Sequence, residues 1–155
     1  HNVIQAHTAV VVFDPDILFT ECRSVSSQVI FLGTMTPKEI QEWYRMADIG
    51  IMPSYTEQCS YVGIEMLMHG LPIVASDGFG IQNMFHNDIN ACIARIGCID
   101  KPKEFESNLT NSILRLLSSY QYCETLSKGA RQTYEEKYTV ERAGKSYNDL
   151  FKNIT

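Results

Sequence analysis

Residues 53–77 read PSYTEQCSYVGIEMLMHGLPIVASD, and their signals run in the order strand end, loop, helix, strand. Pro53-Ser54 closes the short apolar run Asp48–Met52 (DIGIM), which reads as a strand. Tyr61–His69 reads as a helix, because Gly70 suits its C-terminal cap and Pro72 prevents its continuation. Leu71–Ala75 (LPIVA) follows as a second strand, with its proline near the start where it does least harm. Glu57 lies in the loop at the carboxyl end of the first strand, and Glu65 lies just over one turn into the helix.

The same alternation extends in both directions. Upstream, Thr8–Phe13 (TAVVVF) is β-branched and continuous, as a strand buried on both faces should be, and Val29–Leu32 (VIFL) is similar and ends at Gly33. Thr36-Pro37-Lys38-Glu39 reads as a helix start, with Thr at the N-cap, Pro at the first position and Glu at the third. That helix should run to about Ala47, with Ile40, Trp43, Tyr44 and Ala47 on one stripe. Downstream, Gly78-Phe79-Gly80 reads as a glycine turn and Ala91–Ile96 as a short strand. From Lys103 to Phe151 the pattern is helical, in three segments broken near Tyr120 and Tyr138. Strands alternating with helices over short connections imply an α/β fold, a parallel sheet flanked by helices. Ligands bind such sheets at the carboxyl ends of the strands, which directs attention to the loops after Phe13, Leu32, Met52 and Ala75.

Composition narrows the classes. The chain has 155 residues, 45% of them hydrophobic, which is enough for one core and too little for two sizeable domains. There is no internal repeat or low-complexity stretch, so a single domain over 1–155 with a helical C-terminal segment, 103–155, is the simplest account. The formal net charge is −5, and the 13 Lys and Arg are scattered, so no nucleic-acid or anionic-membrane footprint is expected. Five cysteines without a CxxC pair favour a reducing, cytoplasmic compartment. No run approaches the roughly 20 apolar residues of a membrane span. The opening His1-Asn2-Val3 has neither an initiator Met nor a basic stretch before an apolar core, so no signal peptide is expected and the chain reads as a piece of a longer protein.

The start of the Tyr61 helix leaves amides near Ser60, Tyr61 and Val62 unpaired and carries roughly half a positive charge, which suits a phosphate. A carboxylate such as Glu65 accepts both hydrogens of a vicinal diol, for example a ribose. The plainer reading has Glu57 as a solvated loop residue and Glu65 as a favourable early-helix Glu; spacing alone does not separate the two.

The order of elements does. The stretch from Pro53 to Asp77 resembles the donor-site signature of the retaining, family 4-like nucleotide-sugar glycosyltransferases, which have the two-lobed GT-B architecture. In that family a strand ending in Pro-Ser leads to a Glu, a glycine-containing loop, a second Glu after seven residues, a helix, and then Gly-x-Pro-Val-Val-Ala before Ser or Thr. Phe31-Leu32-Gly33, Tyr44-Arg45-Met46-Ala47-Asp48 and Gly78-Phe79-Gly80-Ile81 fit the neighbouring pattern, so the resemblance holds in register from about Val29 to Ala94. It implies a Rossmann-like C-terminal, donor-binding lobe. Glu57 matches the Glu that faces the transferred sugar, and Glu65 matches the Glu that binds the ribose. The amides of Ser60, Tyr61 and Val62 would contact phosphate and sugar, and Thr34 and Met35 match the loop beside the nucleobase. The implied reaction moves a sugar from a nucleoside diphosphate sugar to an acceptor hydroxyl, as in polysaccharide or glycoconjugate synthesis, without metal or cofactor. Partners would be the nucleotide-sugar and an acceptor glycan, lipid or small molecule held by a missing N-terminal lobe, which could also make peripheral contact with the inner face of the membrane.

The sequence departs from the family at Gln58 and Ser60, where glycines are usual, and at Gln82-Asn83 in place of Pro-Glu. The basic residues that neutralise the diphosphate have no counterpart before Thr8. The chain alone is therefore expected to bind donor weakly and to transfer nothing. A nucleotide-binding lobe without catalysis is the alternative. A third reading sets Asp14 and Asp16, after the strand Thr8–Phe13, against the first motif of Mg²⁺-dependent haloacid-dehalogenase-type phosphohydrolases. It fails to find the downstream acidic pair that would complete the metal site, and two polar residues around the Pro15 corner explain the pattern more simply. The four histidines have no zinc-like spacing, and Cys59 has no activating His or Lys nearby in sequence.

Overall fold

The computed structural model describes residues 32–152. The strand expected over Thr8–Phe13, most of that over Val29–Leu32, and Asp14 and Asp16 lie outside the described residues. The chain divides into two compact units, one ending at Asp48 and one beginning at Ile49.

In the first unit, helix α1 (Pro37–Met46) begins as its sequence requires. The Thr36 hydroxyl accepts the Glu39 N–H at 3.4 Å, the Glu39 carboxylate accepts the Thr36 N–H at 2.8 Å, and Pro37 occupies the first position. These hydrogen bonds to Thr36 hold the Glu39 carboxyl below its ordinary range. Tyr44 is buried and Ile40, Trp43 and Ala47 are half-buried, the expected stripe.

The second unit is a parallel three-stranded sheet in the order β1 (Gly50–Met52), β2 (Ile73–Ser76), β3 (Cys92–Ala94). Gly50 pairs with Ile73, and Val74 with Cys92. The strands are shorter than the apolar runs suggest, because pairing and not hydropathy sets their limits. The Gly50 N–H bonds the Pro72 carbonyl at 2.9 Å, so the β1–β2 ladder begins at Ile73. Helix α2 (Tyr61–Met68) joins β1 to β2 and ends with His69 as cap and Gly70 at φ +63°, the left-handed turn that glycine tolerates. A single helical turn, α3 (Ile81–Met84), follows β2, and α4 (Pro102–Leu117), α5 (Tyr120–Lys137) and α6 (Val140–Lys152) complete the chain with breaks where they were expected. Among the described residues, no helix is long and apolar enough to cross a membrane.

All four residues of β2 are buried. Successive side chains leave opposite faces of a strand, so the sheet is covered on both. On one face Val74, Cys92, Ala94 and Ile96 pack with Phe105 of α4, Leu116 and Leu126. On the other α2 lies close: a Cβ at Gly63 would sit 3.0 Å from Phe85 and 3.2 Å from the Met52 sulfur, so the absent side chain lets the helix down onto the sheet. Helix α5 packs along α2, and the Arg131 guanidinium donates to the Met68 carbonyl. At one end of this layer Arg115 bonds Asp88 at 2.9 Å and stacks 4.2 Å over the Tyr122 ring, whose hydroxyl also donates to Asp88.

Two tests follow from these contacts. Helical Gly→Ala substitutions ordinarily stabilise by about 0.5–1 kcal/mol, and Gly144, with nothing near its missing Cβ, should obey. At Gly129 a Cβ would overlap the Ile89 carbonyl, so Gly129→Ala should lower stability by about 1–3 kcal/mol in urea melts. The second test concerns Tyr122. Burial, and then the hydrogen bond to Asp88, push this phenol above its ordinary value of 10.0. A proton held more tightly in the folded chain stabilises it below pH 10, and that contribution is lost as pH rises beyond. Melts between pH 8 and 11.5 should show a steeper alkaline fall in the wild type than in Tyr122→Phe.

Candidate functional site

The carboxyl end of β1 runs into a loop that a second loop holds in place. The Glu57 N–H donates to the Phe79 carbonyl at 2.9 Å, and Thr56 pairs with Phe79 in an isolated parallel bridge. The Ser76 hydroxyl, at the end of β2, donates to the Ser54 carbonyl and accepts the Gly78 N–H at 3.3 Å. Gly78 and Gly80 allow the approach: a Cβ at Gly78 would overlap the Tyr55 carbonyl, and one at Gly80, where φ is +81°, would overlap that of Glu57. Glu57 itself is half-buried, and its carboxylate accepts the Ser54 hydroxyl at 3.2 Å. It is therefore a fixed carboxylate and not a free loop residue.

Three residues on, the chain enters α2. Ser60 is buried, 6% exposed, and its hydroxyl accepts the Gly63 N–H at 3.1 Å. Its side chain is thus committed to the helix start. The N–H groups of Ser60, Tyr61 and Val62 make no hydrogen bond among the described residues, as the first turn of a helix leaves them. Glu65 is half-buried in the second turn of α2. Glu57 thus lies in the loop at the carboxyl end of β1, Ser60, Tyr61 and Val62 at the start of α2, and Glu65 one turn further along that helix. Thr34 and Met35 precede α1 in the first unit, the threonine exposed and the methionine half-buried.

Other participants were not apparent from sequence. Ser54, Ser76 and the Phe79 carbonyl fix Glu57 from up to 22 residues away, and only the Gly-x-Gly pattern hinted at the turn. Tyr138, the cap residue of α5, lies beside Cys59, and burial together with that nearness raises its phenol above the usual range. On the β3 side of the Glu57 loop a cleft of about 780 Å³ opens between Tyr55, Phe79, Arg95 and Glu104; neither Glu57 nor Glu65 lines it. Among the described residues, no three of His, Cys, Asp and Glu are grouped to hold a metal ion.

Comparison with known proteins gives this arrangement a family. An uncharacterized glycosyltransferase of Methanocaldococcus jannaschii is 26% identical over 128 residues, 83% of this chain and 31% of that protein. The sucrose-phosphate synthase of Thermosynechococcus elongatus superposes with a TM-score of 0.73 at 22% identity, over 94% of this chain and 38% of its own. Anabaena HepE, solved in complex with UDP-glucose, superposes with a TM-score of 0.66 at 18% identity, over 84% of this chain and 34% of its own. The chain thus spans about a third of the length of these proteins. Its fold is that of a Rossmann-like lobe of the GT-B glycosyltransferases. Residues 6–119 match the family described as glycosyl transferases group 1, and the chain belongs to that family.

Proposed function

We propose that this chain is the donor-binding lobe of a retaining glycosyltransferase that takes a nucleoside diphosphate sugar and passes the sugar to an acceptor hydroxyl. The observation that carries the reading is the braced loop followed by an open helix start: Glu57 held by Ser54 and Phe79, then three amides without protein partners, then Glu65. Anabaena HepE, which shares this fold and was solved with UDP-glucose, supports the choice of donor class.

Each group then has a chemical task. As the bond from sugar to diphosphate breaks, positive charge builds on the sugar and negative charge on the leaving diphosphate. Amides at the α2 start are already aimed and stabilise the latter without reorganising. Glu65 accepts the two ribose hydroxyls, and Glu57 accepts a sugar hydroxyl and fixes the ring. Thr34 and Met35 would lie beside the base. No metal or cofactor takes part in this scheme. The acceptor, whether glycan, lipid or small molecule, is held largely by a lobe beyond these residues, in a protein working in the cytoplasm at or near the membrane's inner face. The chain alone binds donor weakly and transfers nothing.

A lobe that binds the nucleotide but has lost catalysis is the second reading, and turnover separates the two. The test is titration of UDP, GDP and ADP into the full-length protein, with turnover of the matching sugars. Glu65→Ala should weaken the preferred nucleoside diphosphate at least tenfold, and Glu57→Gln should lower kcat at least a hundredfold with nucleotide affinity little changed. Equal binding by wild type and Glu65→Ala would remove the ribose assignment. Full turnover by Glu57→Gln would remove the other.

A further inference from the structure

The cleft beside the Glu57 loop is separate from the proposed donor run yet shares its wall. Thr56, one residue before Glu57, lines it, and so does Phe79, whose carbonyl holds the Glu57 N–H. At about 780 Å³ it lies within the range of small-ligand sites, roughly 300–1,000 Å³. Its scaffold is fixed: the Asp77 carboxylate accepts the Ile96 N–H at 2.7 Å, the Asn108 amide donates to the Arg95 carbonyl at 2.9 Å, and the Tyr55 ring packs 5.5 Å from the buried Phe105 ring.

The lining selects a chemistry. Arg95 supplies hydrogen-bond donors and takes part in none of the ion pairs among the described residues. Asp77 and Glu104 supply acceptors. Phe79 presents a bare aromatic face, 79% exposed, with Ile99 nearby at 75%. A phosphate would bond Arg95 but face two carboxylates, and an acyl chain would leave these polar groups without partners. A sugar ring answers both conditions, because each hydroxyl donates and accepts and the ring's C–H face suits an aromatic plane. We infer that this cleft is a carbohydrate subsite that takes a neutral sugar unit of the acceptor, next to the sugar held by Glu57. The acceptor role rests on the donor reading above; the cleft as a sugar site does not.

The test uses saturation-transfer NMR on the full-length protein with saturating UDP and the methyl α- and β-glycosides of glucose, galactose and mannose. At least one glycoside should give a signal that UDP does not displace and that falls at least fivefold in Phe79→Ala and in Arg95→Ala. Both side chains are exposed and the Phe79 carbonyl remains in Phe79→Ala, so the variants should keep their fold, which thermal melts of each check. No signal from any glycoside with UDP bound, or signals equal in wild type and both variants, overturns the subsite. A glycoside signal that survives where none of UDP, GDP and ADP binds leaves the sugar site standing and overturns the donor reading instead.

Discussion

Everything proposed for this chain depends on one contact between two loops. Alone, the segment from Ser54 to Glu57 would be a flexible connection at the end of a three-residue strand. It is fixed because the Gly78–Gly80 turn comes against it closely enough for the Phe79 carbonyl to take the Glu57 N–H at 2.9 Å and for Ser76 to bond the Ser54 carbonyl. A side chain at Gly78 or Gly80 would overlap the Tyr55 or the Glu57 carbonyl, so the loops would have to move apart. The neighbouring strands β1 and β2 bring the two loops to the same edge of the sheet, so a parallel pairing of a few residues determines where a carboxylate is held.

The second constraint is the seating of α2. A helix of eight residues has little stability of its own, and its position comes from burial. Leu67 is fully buried, Gly63 permits close approach to Met52, Met84 and Phe85, and α5 packs against the helix. Ser60 completes the cap from within. The same packing that stabilises the helix therefore fixes where its unpaired first-turn amides lie.

Much of this was legible in the sequence, and the reasons are local. Thr36-Pro37 with Glu39 specifies a capping box, Gly70 followed by Pro72 ends α2, and the breaks at Tyr120 and Tyr138 separate the last helices, because each signal acts within a few residues of itself. Strand limits were less legible. Leu71–Ala75 reads as the apolar run, but the paired segment is Ile73–Ser76, since Ser76 has Ala94 opposite it and Leu71 has no ladder partner. The turn α3 was not anticipated, four residues being too few to show a period. Glu57 was singled out by its resemblance to a family signature, whereas the bonds that hold it were not visible, because Ser76 and Phe79 lie about twenty residues away and only the sheet brings them together. The cleft at Arg95 and Glu104 was hidden for the same reason.

The most direct test of the central claim is a crystal structure of the full-length protein with UDP bound. The diphosphate should lie within hydrogen-bond distance of the Tyr61 and Val62 amides, with both ribose hydroxyls on the Glu65 carboxylate and the Glu57–Phe79 bond intact. Nucleotide seated elsewhere, in the cleft at Arg95 for instance, or a Glu57 loop that parts from Phe79 when it binds, would contradict the account.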